Sequence, residues 1–318
     1  MSSTKPSPKF FHDRPDAKTL LKTLAAEKNY EAAIVEKDYW VMHCLWGLQQ
    51  NGLRFEMKGG TSLSKGWSAI DRFSEDIDIR FDPPKDLDLK NDGEKHVKAR
   101  RAFYDELAGK ISIPGITVER NVAFDDEKAQ NGGISLKYKT RFDPLPGLKT
   151  EVLLEVGFAR TTPHEARNFS SWVLDQALAA KLDIIDNRAP GVLCFIPEYT
   201  FVDKLQTISR RYRQHKSRGD ERDRPREFLR HYYDLYMLLG MARVTAFIGT
   251  SDYDKYKVEK LKGLDAEAFA SKKPFTLDEG QTFALFEKEY ESMSTLLLSK
   301  GPSFKELIER LREYSSRF

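Results

Sequence analysis

One stretch of 24 residues constrains this chain more than any other: residues 58–81 read KGGTSLSKGWSAIDRFSEDIDIRF. The segment LRFEMKG before Gly60 is typical of a short strand, and Gly59-Gly60 end that strand in a turn. We expect a helix over residues 61–70, with Thr61 placed to cap its first turn. The stretch therefore predicts a strand, a glycine turn and a helix in close succession.

The end of the same stretch alternates between apolar and charged residues. Ile77, Ile79 and Phe81 fall on one face of a predicted strand, whereas Asp76 and Asp78 fall on the other. Two carboxylates on one strand face repel each other unless they share a cation, and Mg²⁺ or Mn²⁺ prefers oxygen ligands of this kind. The alternation thus indicates a metal site on the returning strand.

A glycine turn that opens a helix is suited to bind phosphate. Glycine lets a ligand approach the backbone closely, and the first N–H groups of a helix are free to donate. A phosphate cradle beside a carboxylate pair is what metal-assisted phosphoryl or nucleotidyl transfer needs. The residues alone also fit a simpler interpretation, a structural turn beside a solvated strand face.

Composition narrows the class of protein. The 318 residues are 40% hydrophobic, enough for two sub-domains or one large one. The net charge of +3 excludes a generally basic nucleic-acid binder, so any basic patch is local. Cys44 and Cys194 stand alone in apolar segments and predict buried thiols. Without a long apolar run or a signal peptide, we expect a cytoplasmic protein with no membrane contact.

The chain changes character near residues 160–170. Before this point, strand-like segments (GITVERNVAF, GGISLKYKTRF, KTEVLLEVGF) are joined by turn signals, whereas later segments have helical periodicity. We predict an α+β fold, with N-terminal helices and a mixed or antiparallel sheet over residues 1–165. An α-helical domain is predicted over residues 166–318.

The ordered set of a strand, Gly-Gly-Thr, a helix and Asp-Ile-Asp-Ile resembles the signature of the polymerase-β-like nucleotidyltransferase superfamily. Fifteen residues separate Gly60 from Asp76, slightly more than in compact members, which we attribute to an extra helical turn. KGGTSLSKGW and IDRFSEDIDI are similar to the first motif of the AbiEii/AbiGii toxin family. IVEKDYWVMHCLWGL, VDKLQTISRR and RHYYDLYMLL resemble, in order, its upstream helix, lysine motif and late aspartate motif.

The resemblance implies roles around the first motif. Asp76 and Asp78 would bind metal, and the phosphate loop would contain Gly59, Gly60, Thr61, Ser62 and Lys65. Thr61 also fits a plain helix cap, and Lys65 a solvated lysine. Ser74 would orient a carboxylate or contact the nucleotide, or serve as an ordinary turn hydroxyl.

A third carboxylate is expected on a neighbouring strand, where it would act as a base or complete the metal shell. KTEVLLEVGF places Glu151 and Glu155 on one face, and the resemblance favours Glu155. A carboxylate at the rim of the site is the alternative.

Two later residues belong to the same expectation. Lys204 borders the apolar side of a helix, where a lysine usually extends to solvent, but the resemblance implies that it contacts nucleotide phosphates. Asp234 lies in an aromatic helix, where a carboxylate needs a partner, and Arg230 at i−4 is available as a structural one. The resemblance implies that Asp234 is an active-site residue that positions Lys204 or the acceptor. In the family motif a second aspartate follows the arginine, whereas this chain has His231.

Between these motifs, SRRYRQHKSRGDERDRPREFLRHYY is rich in arginine and aromatic residues. Such a segment is either a solvated, charge-mixed surface or an RNA-binding surface, since cations contact phosphates and aromatic rings stack on unpaired bases. The candidate RNA-binding residues are Arg210, Arg211, Arg213, Lys216 and Arg218.

The predicted function is metal-dependent nucleotidyl transfer from an NTP to an acceptor hydroxyl. The resemblance implies a toxin of a toxin–antitoxin or phage-defence module, an antitoxin protein as partner, and the 3′ end of tRNA as acceptor, which would block translation. Transfer to a protein or small-molecule hydroxyl is a second hypothesis. A third is a nucleotide-binding regulatory module without turnover.

Overall fold

The computed structural model describes residues 7–218, 226–277, 280–293 and 297–318, with the backbone alone at residues 218, 226 and 227. The chain divides into two compact units. The first unit comprises Met1–Gly66 and Ser74–Cys194, and the second comprises Trp67–Phe73 and Phe195–Phe318. The chain therefore leaves the first unit within the motif stretch and re-enters it just before Asp76.

The helices of the first unit flank a sheet. α1 (Ala17–Lys28) and α2 (Ala32–Gln50) come first, and α4 (Glu94–Lys110) and α5 (Trp172–Ala179) lie between strands. A single helical turn, α3 (Gly59–Thr61), continues into a π-helical turn at Ser62–Gly66. α2 is buried almost all round, as the broad distribution of its apolar residues predicts.

Within the described residues, the sheet has seven strands in the order β3-β4-β5-β2-β1-β7-β6. The strands are β1 (Glu56–Lys58), β2 (Ile77–Arg80), β3 (Ile116–Asn121), β4 (Asn131–Tyr138), β5 (Glu151–Gly157), β6 (His164–Phe169) and β7 (Ala189–Phe195). β1 pairs antiparallel with β2, and β2 pairs parallel with β5. The carboxylate-bearing strand β2 is thus central, and its apolar residues Ile77 and Ile79 are fully buried.

The second unit is helical. α6 (Pro197–Arg218) and α7 (Arg226–Leu238) are its longest helices, followed by α8 (Ala242–Phe247), α9 (Ser251–Lys260), α10 (Gly263–Ala270), α11 (Lys273–Thr276), α12 (Gln281–Glu291) and α13 (Phe304–Tyr314). Residues 67–73 pack with them: the Trp67 indole N–H donates to the Phe195 carbonyl at 3.0 Å, and the Leu298 amide donates to the Asp71 carbonyl at 3.2 Å.

The α+β class and the mixed sheet are confirmed. The helix expected over residues 61–70 is wrong in both bounds, since it starts at Gly59 and its last turn ends at Gly66. Of the fifteen residues between Gly60 and Asp76, residues 67–73 belong to the second unit. Lys58, not Thr61, is the N-terminal flanking residue of this helix.

Two other expectations concern cysteines and membranes. Both thiols, Cys44 and Cys194, are free and buried, as predicted. Burial raises the pKa of the Cys194 thiol to about 11, although a hydrogen bond with Ser62 acts in the opposite direction. In the part of the chain that the structure describes, no helix is long and apolar enough to cross a membrane.

Candidate active site

The glycine turn and the second aspartate of the motif are in direct contact. Gly59 has φ of +78°, a conformation that favours glycine. A Cβ at this position would lie 3.0 Å from Asp78 Oδ2 and 3.1 Å from Asp78 Cβ. Gly59 is therefore required both by its backbone angle and by the space that the Asp78 side chain occupies. Gly60 follows within the same helical turn.

Asp78 lies in a row with charged residues on both neighbouring strands. Lys58 on β1 is its partner in the antiparallel pairing, and Glu155 on β5 is its partner in the parallel pairing. The Lys58 ammonium lies 3.0 Å from Asp78 Oδ1. Paired residues on adjacent strands have their side chains on the same face, so Glu155, which the resemblance favours, lies beside Asp78. Glu151 instead accepts a hydrogen bond from the Ser135 hydroxyl at 2.8 Å.

Asp76 is held by a second lysine that sequence reasoning did not identify. The Lys149 ammonium donates to both carboxylate oxygens of Asp76, at 2.9 and 3.0 Å. The Asp76 side chain is 14% exposed and that of Lys149 is 44% exposed. Each carboxylate of the motif thus has an ammonium group within ion-pair distance.

The hydroxyl groups after the glycines point into the protein. The Thr61 hydroxyl donates to the Asp76 carbonyl at 2.5 Å, and Thr61 and Ser62 are both about 1% exposed. Thr61 therefore fixes the start of β2 to the helical turn. Ser74 is half-buried two residues before Asp76. The Ser62 backbone N–H donates to the Gly59 carbonyl, so a phosphate at this turn would meet the backbone at Gly59 and Gly60 and not these hydroxyls.

Lys65 is engaged inside the first unit. Its ammonium lies 2.5 Å from Asp38 Oδ1 on α2 and 4.0 Å from the centre of the Trp172 ring. The other Asp38 oxygen accepts the Trp172 backbone N–H at 2.8 Å. Burial raises the pKa of Asp38, and the nearby Lys65 ammonium opposes that rise. Lys65 thus compensates a buried carboxylate.

A buried lysine on α2 holds the backbone near Asp76 and Lys149. Lys37 is fully buried and donates to the carbonyls of Lys149, at 2.8 Å, and Glu151. Its ammonium also lies 3.4 Å from Glu75 Oε2. Burial lowers the pKa of Lys37 and raises that of Glu75. Lys37 therefore joins the residue before Asp76 to the segment that carries Lys149.

The donor set around Asp78 fits magnesium better than a metal held by protein ligands alone. Among residues 7–218, 226–277, 280–293 and 297–318, no group of three or more His, Cys, Asp or Glu is arranged to hold a metal ion. Mg²⁺ is usually bound by one or two carboxylates together with substrate phosphates and water. Asp76 and Asp78 would supply such a pair, and the Asp78 carboxylate lies directly against the backbone of Gly59.

The second unit contains a different charged cluster. Asp234 on α7 is fully buried and accepts two hydrogen bonds from the Arg72 guanidinium, at 2.7 and 2.8 Å. It also accepts the Lys204 ammonium at 2.5 Å. Although burial alone would raise it, the pKa of Asp234 lies below its ordinary range because Arg72 and Lys204 stabilise the carboxylate.

This cluster corrects the expected partner of Asp234. The partner of Asp234 is Arg72, together with Lys204, and not Arg230. Lys204 is 6% exposed and does not extend to solvent along its helix; burial lowers its pKa, and Asp234 opposes that change. His231, at the position of the missing aspartate, has its Nδ1 3.5 Å from the Lys204 ammonium.

Some basic side chains of the arginine-rich segment are already paired within the second unit. Arg213 donates to Asp265 at 2.8 Å, and the Lys216 ammonium donates to the Thr282 hydroxyl at 2.6 Å. Arg211 is exposed, whereas Arg210 is half-buried and its pKa is lowered by burial and by Arg211. The side chain of Arg218, with residues 219–225, lies outside the described residues.

Sequence reasoning missed several charged residues of these clusters. Lys37 and Asp38 lie in the EKDYW segment of α2, a helix whose apolar residues predict burial on most sides. Three consecutive charged residues in such a helix indicate buried ion pairs. Arg72 lies inside the first motif itself. Lys58 and Lys149 gave no sequence signal, because their roles depend on the pairing of strands far apart in the chain.

Comparison with known proteins agrees with this geometry. The family model described as "Nucleotidyl transferase AbiEii toxin, Type IV TA system" matches residues 42–310, which include both charged clusters. No curated protein and no solved structure matches the chain. The match covers most of the chain, and the chain therefore belongs to the AbiEii family of nucleotidyltransferase toxins of type IV toxin–antitoxin systems.

Proposed function

We propose that this nucleotidyltransferase transfers an NMP from an NTP to an acceptor hydroxyl, with the first unit binding the triphosphate. The observation that carries the proposal is the packing of Gly59 against Asp78, with Glu155 beside it in register. This arrangement brings the glycine backbone next to two carboxylates. A purely structural glycine turn would not need a carboxylate in the space that a Cβ would fill.

The residues of the first unit divide the work. The backbone at Gly59 and Gly60 admits phosphate oxygens, Asp76 and Asp78 orient the metal-bound triphosphate, and Glu155 is in place to take the proton of the attacking hydroxyl. Mg²⁺ or Mn²⁺, when bound by Asp76 and Asp78, would polarise the phosphate and stabilise the leaving pyrophosphate. Lys204 and Asp234 are included because their motifs resemble those of the family.

We further propose that the acceptor is the 3′ end of tRNA, that the modification blocks translation, and that an antitoxin protein counteracts it. Exposed Arg211 and half-buried Arg210 on α6 support contact with a nucleic acid, because guanidinium groups bind phosphates. Transfer to a protein or a small molecule would not require such a surface.

The direct test is transfer of label. Purified protein is incubated with Mg²⁺, bulk tRNA and each labelled NTP in turn, beside Asp76→Ala and Asp92→Ala. Asp92 is an exposed carboxylate of the same unit, paired with Lys128 at 2.5 Å. We expect label on tRNA with the wild type and Asp92→Ala, and none with Asp76→Ala. Label on protein alone, or none with any acceptor, would refute the tRNA proposal.

Charge reversal separates the acceptor from the chemistry. Arg211→Glu should reduce labelling of tRNA while leaving nucleotide binding to the first unit unchanged, whereas Lys255→Glu, on exposed α9, serves as a control of equal charge change. Equal labelling by all three proteins would favour a different acceptor. Growth arrest on expression, abolished by Asp76→Ala, tests the toxic activity in cells.

A further inference from the structure

The backbone of Lys149 is held in the first unit by hydrogen bonds at both its N–H and its carbonyl. Its N–H donates to Glu75 Oε2 at 2.8 Å, and its carbonyl accepts the buried Lys37 ammonium at 2.8 Å. Neither bond involves the Lys149 side chain. The side chain therefore extends from a fixed point and can change its partner without disturbing the turn that carries it.

The Lys149 ammonium occupies the carboxylate that a metal ion would need. It contacts both oxygens of Asp76, at 2.9 and 3.0 Å, while Lys58 contacts Asp78. The two ammonium groups balance the two carboxylates of the motif. A free divalent cation must displace at least one of them, and the displaced ammonium is then repelled by the dication beside it.

The two lysines differ in their freedom to move. The Lys58 side chain is 20% exposed and belongs to a residue paired within the sheet, whereas the Lys149 side chain is 44% exposed and follows a loop. A partly exposed lysine loses little energy when it exchanges one anionic partner for another. A metal-bound triphosphate supplies such a partner, because its oxygens carry excess negative charge.

We propose that Lys149 is an exchangeable counter-cation that makes metal binding depend on nucleotide binding: it occupies Asp76 in the free protein and moves to the phosphates of the incoming metal–nucleotide complex. Lys149 thereby acts as a specificity residue of the transfer reaction. This inference rests on the proposed function, since it takes Asp76 and Asp78 as the metal-binding carboxylates.

The test measures binding without turnover, on the full-length protein. Mn²⁺ binding alone is followed by the loss of its free EPR signal, and binding of an α,β-methylene NTP analogue is measured at saturating Mn²⁺. Removing the ammonium in Lys149→Met should tighten binding of Mn²⁺ alone about fivefold, while weakening binding of the analogue by a similar factor. A merely structural role would weaken both, and a residue without a role would change neither.

Two further variants sharpen the result. Lys149→Arg retains the charge and should behave like the wild type, and Lys128→Met removes an exposed, paired lysine of the same unit without touching the site. Unchanged or weaker binding of Mn²⁺ alone to Lys149→Met would overturn the inference. If the wild type binds Mn²⁺ and the analogue no better than Asp76→Ala, the proposed metal site fails instead, and the inference fails with it.

Discussion

The two units solve the same electrostatic problem in opposite ways. In the first unit, Asp76 and Asp78 are each paired with a lysine and remain 14% and 23% exposed. In the second unit, Asp234 is fully buried between Arg72 and Lys204. The first arrangement is made of contacts that water can replace, whereas the second has no replacement for any of its members.

The difference in burial determines whether a charged residue can exchange its partner for a ligand or must keep it. An ion pair near solvent contributes about 0–1 kcal/mol, so its partners can be exchanged for ligands at small cost. Removing one member of a buried pair leaves an uncompensated charge and costs about 3–5 kcal/mol. The buried pairings of the second cluster therefore stabilise the fold of its unit, besides the role in transfer proposed for Lys204 and Asp234. The partly exposed pairings of the first cluster can be exchanged for a charged ligand.

We expect the largest loss of stability from a substitution at Asp234. Replacing it in Asp234→Asn leaves the buried charges of Arg72 and Lys204 without a carboxylate, and we expect the free energy of unfolding to fall by about 3–5 kcal/mol. Urea unfolding followed by circular dichroism measures the loss. Asp76→Asn removes a half-buried carboxylate whose partner Lys149 is exposed to solvent, and should change stability by less than about 1 kcal/mol. Equal losses in the two variants would contradict the distinction.

Lys65 tests whether the first unit also contains fixed charge. Lys65→Met removes the ammonium beside buried Asp38 and leaves the Trp172 N–H as a donor to that carboxylate, and should cost about 2 kcal/mol at pH 8. The pKa of Asp38 is already raised by burial, so the folded variant takes up a proton more readily than the unfolded chain. Its deficit should therefore shrink at pH 5.

The control for Lys65 is Lys128→Met, whose partner Asp92 is exposed and should lose almost nothing at either pH. If Lys65→Met retains wild-type stability at both pH values but loses nucleotide binding, Lys65 is a phosphate ligand as the sequence predicts, and its pairing with Asp38 is incidental.

Gly59 offers a matched pair with Gly52. Both have positive φ, +78° and +71°, so alanine at either position should cost about 1–2 kcal/mol. A Cβ at Gly52 meets nothing within 4 Å, whereas one at Gly59 meets Asp78. Gly59→Ala should therefore also abolish nucleotidyl transfer, which Gly52→Ala should retain. Full activity of Gly59→Ala would show that the contact with Asp78 is dispensable.

The same contrast explains what could be predicted from the sequence. The glycine turn and the alternation around Asp76 and Asp78 depend on residues a few positions apart, so local sequence patterns indicated them. The alternation in β5 left both Glu151 and Glu155 as candidates, and the family resemblance favoured Glu155. β7 was missed although it pairs with β1, because Ala189–Phe195 lacks regular alternation of buried and exposed residues.

Long-range pairings gave no such signal. Lys149 contacts Asp76 across 73 positions of the chain, and Arg72 contacts Asp234 across 162. The expected boundary near residue 165 also rested on local periodicity, whereas the compact units divide at Cys194, and residues 67–73 pack with the second unit. Only tertiary packing reveals that the first motif contributes residues to both units.

The smallest expected effect is the pH dependence of stability that His231 contributes beside the Arg72–Lys204–Asp234 cluster. Burial, Lys204 and Arg230 lower the pKa of His231 well below its ordinary value, so the folded protein keeps this ring neutral. The unfolded chain binds a proton at His231 below about pH 6.5, which favours unfolding as the pH falls. Between pH 7.5 and 5.5 this should remove about 1 kcal/mol of stability.

His231→Gln lacks that proton and should unfold with a weaker dependence on pH, measured by urea titration at pH 7.5, 6.5 and 5.5. Buried acids such as Glu75 and Asp38 have raised pKa values and oppose the trend. They are common to both proteins, and their effect cancels in the difference. If the unfolding free energies of the two proteins depend on pH in parallel, this prediction is wrong. His231 would then titrate normally beside Lys204, and the buried cluster would tolerate added positive charge.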